Sequence, residues 1–163
     1  IIPRGVGALG FSQQEPEEKK LYNKEELLSK ISVLFGGRAA EDVMFDKITT
    51  GASDDIERAT ELIYSMITTY GLSNKIGLLN YNKSRRYNIG QNKLNDIETE
   101  MTEITDEIYK WTSKIIEIHK KKIIKLAESL LKNEILLGED IESLIDEDKN
   151  LINSLDIIKL IER

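Results

Sequence analysis

Apolar residues recur at intervals of three and four along most of the chain, which is the spacing of one face of an α-helix. The first such stripe begins after Asn23, which can cap a helix, and Glu25 and Glu26 follow in the first turn, where the helix dipole favours acidic residues. The pattern predicts one helix from near Asn23 to Phe45. Its apolar members are Leu27, Leu28, Ile31, Leu34, Phe35, Ala39, Ala40, Val43 and Phe45.

Two adjacent glycines, Gly36 and Gly37, lie inside this stripe. Each glycine costs a helix about 1 kcal/mol relative to alanine. The pair therefore either breaks the helix or allows another backbone to pack closely against it, within the subunit or between subunits. We favour close packing, because the apolar period continues on both sides of the pair.

A second stripe predicts a helix that begins at Ser53 or Asp54, either of which can serve as the N-cap, and that ends with Gly71 as its first residue beyond the C-cap. The predicted buried residues of this helix are Ile56, Ala59, Leu62, Ile63, Met66 and Tyr70.

A third stripe runs from Asn95 to Asn133 and predicts either one very long helix or two helices that meet near His119. Shorter helices are predicted over residues 139–145 and 151–161. The first 22 residues differ, since they are rich in glycine and β-forming residues and predict short strands at Ile1-Ile2 and at Ala8-Leu9-Gly10-Phe11. The predicted fold is mainly α: a helical bundle over residues 23–163, with a small β-sheet or hairpin near the N-terminus, in residues 1–22.

Composition narrows the classes of function. With 163 residues, 40% apolar and 32% charged, the chain suits one soluble, largely helical domain. The net charge of -6 and the absence of a strongly basic stretch argue against a nucleic-acid partner. The absence of cysteine excludes disulfides, thiolate metal sites and a cysteine nucleophile. No apolar run approaches the ~18 residues that a membrane-spanning helix needs.

Candidate chemistry is concentrated in the segment Thr49-Thr50-Gly51-Ala52-Ser53-Asp54-Asp55. Asp54 and Asp55 lie at a predicted helix start and face about 100° apart, so they cannot do the same job. Local spacing favours an N-cap and dipole pair. The functional alternative is that one carboxylate caps the helix while the other points into a site. The single histidine, His119, lies among charged residues and is expected at the surface rather than in a metal or catalytic site.

Several segments, in the same order and at the same spacing, resemble the protease domain of the FtsH family. They are Ile1-Ile2-Pro3-Arg4-Gly5, Ala8-Leu9-Gly10, Gly36-Gly37-Arg38-Ala39-Ala40-Glu41-Asp42, the run from Ile48 to Thr60, and Tyr70-Gly71-Leu72-Ser73-Asn74-Lys75-Ile76-Gly77. The resemblance is tight over residues 1–81. Beyond them it rests on the helical pattern and on Gly138-Glu139-Asp140-Ile141.

The resemblance implies a membrane-anchored, ATP-dependent zinc metalloprotease. In this family an AAA+ ATPase domain, which uses ATP and Mg, unfolds protein substrates and threads them into a protease ring, usually a hexamer. The zinc is held by two histidines of an H-E-x-x-H helix and by an aspartate that corresponds to Asp55. Asp54, which suits a helix cap, and Glu41 are candidates for residues that support the ligand without touching the metal.

The H-E-x-x-H sequence does not occur in this chain. It is expected upstream of Ile1, together with the glutamate that serves as general base, so no catalytic residue is expected here and the chain alone is expected to be inactive. Residues 1–163 are thus expected to be the C-terminal part of a zinc metallopeptidase domain. The AAA+ and transmembrane parts, through which the whole protein would reach a bacterial, mitochondrial or plastid membrane, are expected outside it.

Two alternatives stay open. The strand at Ala8, Leu9, Gly10 and Phe11 either binds extended substrate by strand addition or merely closes a small sheet. The chain is either part of an endopeptidase that degrades misfolded or unassembled proteins, or a non-catalytic helical oligomerisation module of a AAA+ ring. An intact upstream H-E-x-x-H distinguishes the enzyme from the module.

Overall fold

Helices make up most of the residues that the computed structural model describes, which are 21–81 and 89–146. In chain order they are α1 (Lys24–Phe45), α2 (Ser53–Thr68), α3 (Gln91–Ile118), α4 (Lys120–Asn133) and α5 (Gly138–Asp146), with a 3₁₀ turn (Thr50–Ala52) before α2. The prediction of a mainly helical fold is confirmed. The described ranges contain no strand, so a β-sheet or hairpin is not supported; the predicted strands of residues 1–22 and the predicted helix over 151–161 lie outside those ranges.

The described residues belong to two compact units, one formed by residues 21–116 and one that contains residues 117–146. Nearly all of the buried residues lie in the first unit, whereas no residue of α4 is buried and Leu136 is the buried apolar residue of the described part of the second. None of the described helices is both long and apolar enough to cross a membrane.

The core of the first unit forms where α1 packs against α2. The buried residues are Leu27, Leu28, Ile31, Phe35 and Ala39 of α1, and Ala59, Ile63, Met66 and Ile67 of α2. Three residues predicted for the apolar stripes are instead exposed: Ile56 (37%), Tyr70 (55%) and Phe45 (72%). Phe45 is the last residue of α1, Ile56 lies in the first turn of α2, and Tyr70 lies beyond the end of α2.

Asn23 caps α1 as predicted, and together with Glu26 it forms a capping box. The Asn23 side chain accepts a hydrogen bond from the Glu26 amide at 2.9 Å, and the Asn23 amide donates to the Glu26 carboxylate at 3.0 Å. Two of the amides that a helix leaves without partners at its start are thereby satisfied. At the other end Asp46 adopts a left-handed conformation (φ 51°) and turns the chain away from the helix axis.

The α1 helix continues through Gly36 and Gly37 without a break. The expectation of close packing at this pair is wrong for the described part of the chain, because a Cβ built on either glycine would meet no atom there within 4 Å. Gly37 is exposed and Gly36 is half-buried, so the pair lies at the edge of the buried face rather than beneath a crossing helix.

Polar and aromatic contacts join α3 to α1. The hydroxyls of Ser32 and Thr112 lie 2.8 Å apart, and Tyr109 donates a hydrogen bond to Asp42 at 3.0 Å. The Tyr109 ring also meets Phe35 edge-on, with ring centroids 6.1 Å apart. Burial, together with the hydrogen bond to Asp42, raises the pKa of Tyr109. This combination of contacts fixes α3 against the end of α1 that leads into the 3₁₀ turn.

A second polar link joins the start of α3 to the segment after α2. Ser73 donates to the buried carboxylate of Glu100 at 2.7 Å and accepts a hydrogen bond from the Ile76 amide at 2.9 Å. Nearby, Lys75 pairs with Glu103 across the same junction. The carboxylate of Glu103 raises the pKa of Lys75 by favouring its charged form.

Of the two arrangements predicted for residues 95–133, the structure has two helices, which are separated at His119. The His119 carbonyl accepts hydrogen bonds from the amides of Lys122 and Ile123, so α4 starts immediately after the break. The His119 side chain is half-buried rather than fully exposed. The short acidic helix α5 occurs where it is predicted, and the Lys122 ammonium donates to the carbonyl of Ile145 at 2.9 Å.

Substitution of Gly37 by alanine should stabilise the protein. Alanine is favoured over glycine in a helix interior by about 0.5–1 kcal/mol, and the new methyl group meets open space at this position. Urea unfolding of the chain should therefore show a higher midpoint for Gly37→Ala. Gly71→Ala is the matched control with the opposite sign, because Gly71 has φ +66° and its added Cβ would lie 3.2 Å from Leu78 Cδ2. A lower midpoint for Gly37→Ala would mean that this face is covered.

Candidate metal-ligand site

The connection from α1 to α2 brings the candidate ligand to a helix start. Its 3₁₀ turn, Thr50–Ala52, runs directly into α2, because the Ser53 amide donates to the Thr50 carbonyl and Ser53 already has helical dihedral angles. The predicted cap at Ser53 or Asp54 is therefore wrong: Ala52 holds the N-cap position and supplies no side-chain hydrogen bond. The preceding 3₁₀ turn replaces the side-chain cap that the sequence pattern suggests.

Asp54 and Asp55 both lie in the first turn of α2, where the helix dipole favours negative charge. Asp54 is exposed and Asp55 is half-buried, so their surroundings differ as the 100° separation predicts. Neither carboxylate makes a hydrogen bond or ion pair with the described part of the chain. The Asp55 carboxylate is thus not committed to the cap that local spacing favoured.

Glu41, the other acidic candidate, contacts the connection rather than Asp55. Its two carboxylate oxygens accept separate hydrogen bonds from Thr49, one from the backbone amide at 3.0 Å and one from the side-chain hydroxyl at 2.6 Å. From one turn earlier on α1, Arg38 donates to the Thr49 carbonyl at 2.6 Å and lies 4.0 Å from Glu41. We call these three residues the Thr49 clamp.

The clamp also continues into the 3₁₀ turn. The Thr49 hydroxyl that donates to Glu41 accepts a hydrogen bond from the Gly51 amide at 3.2 Å. The hydrogen bonds from the Thr49 hydroxyl and amide, with a smaller contribution from the Arg38 charge, hold the pKa of Glu41 below 4.5. The carboxylate is therefore ionised, and able to accept both hydrogen bonds, over the whole neutral range.

Arg38 and Thr49 were not singled out as site residues by the sequence pattern. Their pairing joins positions eleven residues apart on different elements, and only the i, i+3 spacing of Arg38 and Glu41 is visible locally. Asp42, which follows Glu41, faces another direction and accepts the hydrogen bond from Tyr109 of α3. Consecutive carboxylates on α1 thus hold two different elements.

Zinc accepts carboxylate oxygen, and a catalytic zinc site has three protein ligands and an open position. The described part of the chain contains no cluster of three or more His, Asp or Glu residues that could hold a metal by itself. It does contain one uncommitted, half-buried carboxylate, Asp55, at the start of a helix. The residues present therefore fit one ligand of a zinc site whose other ligands come from elsewhere. The substrate strand predicted at Ala8, Leu9, Gly10 and Phe11 lies outside the described residues and stays a prediction.

Comparison with known protein families identifies this chain as a peptidase domain. The sequence model of "Peptidase family M41" matches residues 1–144. The chain belongs to peptidase family M41, and it is related to the FtsH proteins.

Curated relatives agree with that assignment. The chain is 39% identical over 158 residues to "ATP-dependent zinc metalloprotease FtsH 4" of Synechocystis, which covers 89% of this chain and 25% of the relative. It is 38% identical over 152 residues to "ATP-dependent zinc metalloprotease FTSH 10, mitochondrial" of Arabidopsis thaliana, which covers 90% of this chain and 18% of the relative. The chain therefore spans about a quarter or less of the length of these relatives.

The stability conferred by Glu41 should depend on pH in the acid range. Its folded-state pKa lies below 4.5, so the stabilisation is present above that pH and is lost as the pH falls through the lowered value. The difference in urea midpoint between the wild type and Glu41→Gln should be largest at neutral pH and should shrink in acid. Thr49→Val, which removes the hydroxyl donor, should reduce the same dependence. A midpoint difference that does not change with pH would show that ionisation of Glu41 has no part in it.

Proposed function

We propose that this chain is part of a membrane-anchored, ATP-dependent zinc metalloendopeptidase that degrades misfolded or unassembled proteins, and that Asp55 is one of its zinc ligands. The observation that carries the proposal is the state of Asp55. Its carboxylate is half-buried, lies in the first turn of α2 directly after the T-G-A turn, and has no partner in the described part of the chain. The chain belongs to peptidase family M41 and is similar to named zinc metalloproteases, which supports zinc as the partner of that carboxylate.

Zinc, when bound, polarises the scissile carbonyl and lowers the pKa of a bound water. The contribution of this chain is to present a carboxylate oxygen in a fixed direction and to offset part of the metal charge. The two histidine ligands and the glutamate that removes the proton belong to an H-E-x-x-H segment outside the sequence. We expect Asp54 to take no part in binding the metal, because it is exposed and lies about 100° from Asp55 around the helix.

Further features of the whole protein are proposed by similarity to the relatives, whose names include ATP dependence and, in some, a mitochondrial location. The whole protein carries an ATP-hydrolysing AAA+ domain with Mg, is anchored in a bacterial, mitochondrial or plastid membrane by segments outside this chain, and assembles into a hexameric ring. Its substrates are unfolded polypeptides. The segment Ala8 to Phe11 binds them through its backbone groups, which tolerates many substrate sequences.

Removal of the Asp55 carboxylate should abolish zinc binding and proteolysis in the complete protein. We expect Asp55→Ala to lower zinc affinity and casein cleavage by more than about 100-fold, which is the upper range for residues that only support a ligand. Metal analysis and a fluorescent casein assay measure the two effects. Asp54→Ala is the matched control, with the same change of charge one position away, and should retain both zinc and activity.

Unchanged zinc content in Asp55→Ala would show that the ligand assignment is wrong. Equal losses in the Asp54 and Asp55 variants would instead mean that both act through the charge at the start of α2. A third outcome would favour the oligomerisation module over the enzyme. In that case neither the wild type nor Asp55→Ala cleaves casein, Asp55→Ala keeps its zinc, and the protein still forms rings.

A further inference from the structure

We propose that Arg38, Glu41 and Thr49 are positioning residues that set the direction of the Asp55 carboxylate. The inference rests on the proposed role of Asp55 as a zinc ligand and adds the contacts that orient its carboxylate. All three polar groups of Thr49 are held by α1: its amide and hydroxyl donate to Glu41, and its carbonyl accepts from Arg38. A single residue of the connection is thus fixed at three points to a helix of the core.

The path from Thr49 to Asp55 is short and regular. The Gly51 amide donates to the Thr49 hydroxyl, and the Ser53 amide then donates to the Thr50 carbonyl as the 3₁₀ turn passes into α2. Asp55 follows in the first turn of that helix. Every residue between the clamp and the ligand therefore lies in a hydrogen-bonded turn or helix, and a shift of Thr49 moves the start of α2.

Asp55 has no hydrogen bond of its own to hold it within the described part of the chain. A metal-binding carboxylate is commonly oriented by hydrogen bonds to neighbouring groups, and loss of such a group costs about 10–100-fold in metal affinity. Here such bonds act on the backbone that carries Asp55 instead of on its oxygens. The clamp is the set of contacts in this region that can supply that orientation.

The exposure of the clamp supports a role in geometry over a role in stability. The Arg38 and Glu41 side chains remain 24% and 28% exposed, and ion pairs that water still reaches contribute little to the free energy of unfolding. The stability of this unit comes from the buried apolar residues that α1 and α2 share. A network of short, directional hydrogen bonds at a partly exposed turn is better explained by the need to fix one conformation.

Gly51 has a physical reason to be glycine in this arrangement. Its backbone does not require positive φ, but a Cβ at this position would lie 3.3 Å from the Thr49 hydroxyl and 4.0 Å from the Glu41 carboxylate. A methyl group would crowd the Thr49 hydroxyl, which forms the shorter of the two hydrogen bonds to Glu41, and would be in ordinary van der Waals contact with the Glu41 carboxylate. The glycine of the T-G-A turn thus leaves room for the clamp.

The test measures zinc binding by the complete protein in four variants of the clamp and of the adjoining Gly51, which we call clamp variants. Thr49→Val keeps the β-branched shape but removes the hydroxyl, and Glu41→Gln leaves an amide nitrogen that cannot accept a hydrogen bond. Gly51→Ala crowds the clamp without changing its polar groups. Thr49→Ser restores the hydroxyl. Thr60→Val, which removes a hydroxyl from an exposed position on α2, is the control.

We expect Thr49→Val, Glu41→Gln and Gly51→Ala to weaken zinc affinity about 10-fold, the lower range for residues that support a ligand. Thr49→Ser and Thr60→Val should bind zinc like the wild type. Substitution of zinc by Co²⁺ gives a visible absorption spectrum that reports ligand geometry, and this spectrum should change in the three clamp variants but not in Thr60→Val.

Zinc affinity and Co²⁺ spectra that equal those of the wild type in all three clamp variants would overturn the inference. If Asp55→Ala abolishes zinc binding in the same experiment, the proposed function stands and only the clamp hypothesis fails. If Asp55→Ala retains zinc, the proposed function itself fails. Should Glu41→Gln not fold, the Thr49→Val and Thr49→Ser pair decides the question, because both substitutions are small and lie on an exposed turn.

Discussion

The paired hydrogen bonds between the Glu41 carboxylate and Thr49 are the constraint on which the candidate site depends. They join the end of α1 to the connection that starts α2, at 3.0 Å and 2.6 Å, and Arg38 closes the same turn through the Thr49 carbonyl. The ionised carboxylate presents both oxygens as acceptors, whereas an amide in its place presents one oxygen and a nitrogen that only donates. The local geometry before Asp55 is therefore controlled by a charge on a different helix.

Stability and geometry have separate sources in this unit. The apolar faces of α1 and α2 remove Ile31, Ile63 and Met66 from water almost completely, and burial of that kind contributes about 25 cal/mol per Å². Such contacts are not directional, so they hold two helices together without fixing the turn between them. Hydrogen bonds are directional, and the clamp places them at the turn. A metal ligand needs this second kind of restraint, because coordination tolerates little displacement.

The contacts of α3 show the same separation between apolar packing and directional hydrogen bonds. Tyr109 donates a hydrogen bond to Asp42, which is the residue next to Glu41. The turn of α1 that carries the clamp is therefore supported by a third helix. Farther along, Ser73 satisfies the buried carboxylate of Glu100, which is 8% exposed. A buried carboxylate without such a partner would be costly. These polar links are specific to one arrangement of the helices, whereas apolar packing alone would accept several.

Several features were determined by the sequence alone. Apolar spacing predicted α1 and α2, the Asn23 cap was visible in the residues around it, and the ordered motifs identified the family and singled out Asp55 as the candidate ligand. These signals are local in the sequence or consist of motifs in a fixed order.

Other features depend on atoms far apart in the chain. The preference of Ser and Asp for N-cap positions suggested Ser53 or Asp54, but the 3₁₀ turn runs directly into α2, so Ser53 already has helical dihedral angles and Ala52 holds the N-cap position. Likewise, the sequence pattern could not show that Gly36 and Gly37 face open space in the described part, or that Glu100 is buried, because exposure depends on which element packs where. Only the tertiary structure could decide these points, since each depends on the relative placement of two elements and not on the period of either.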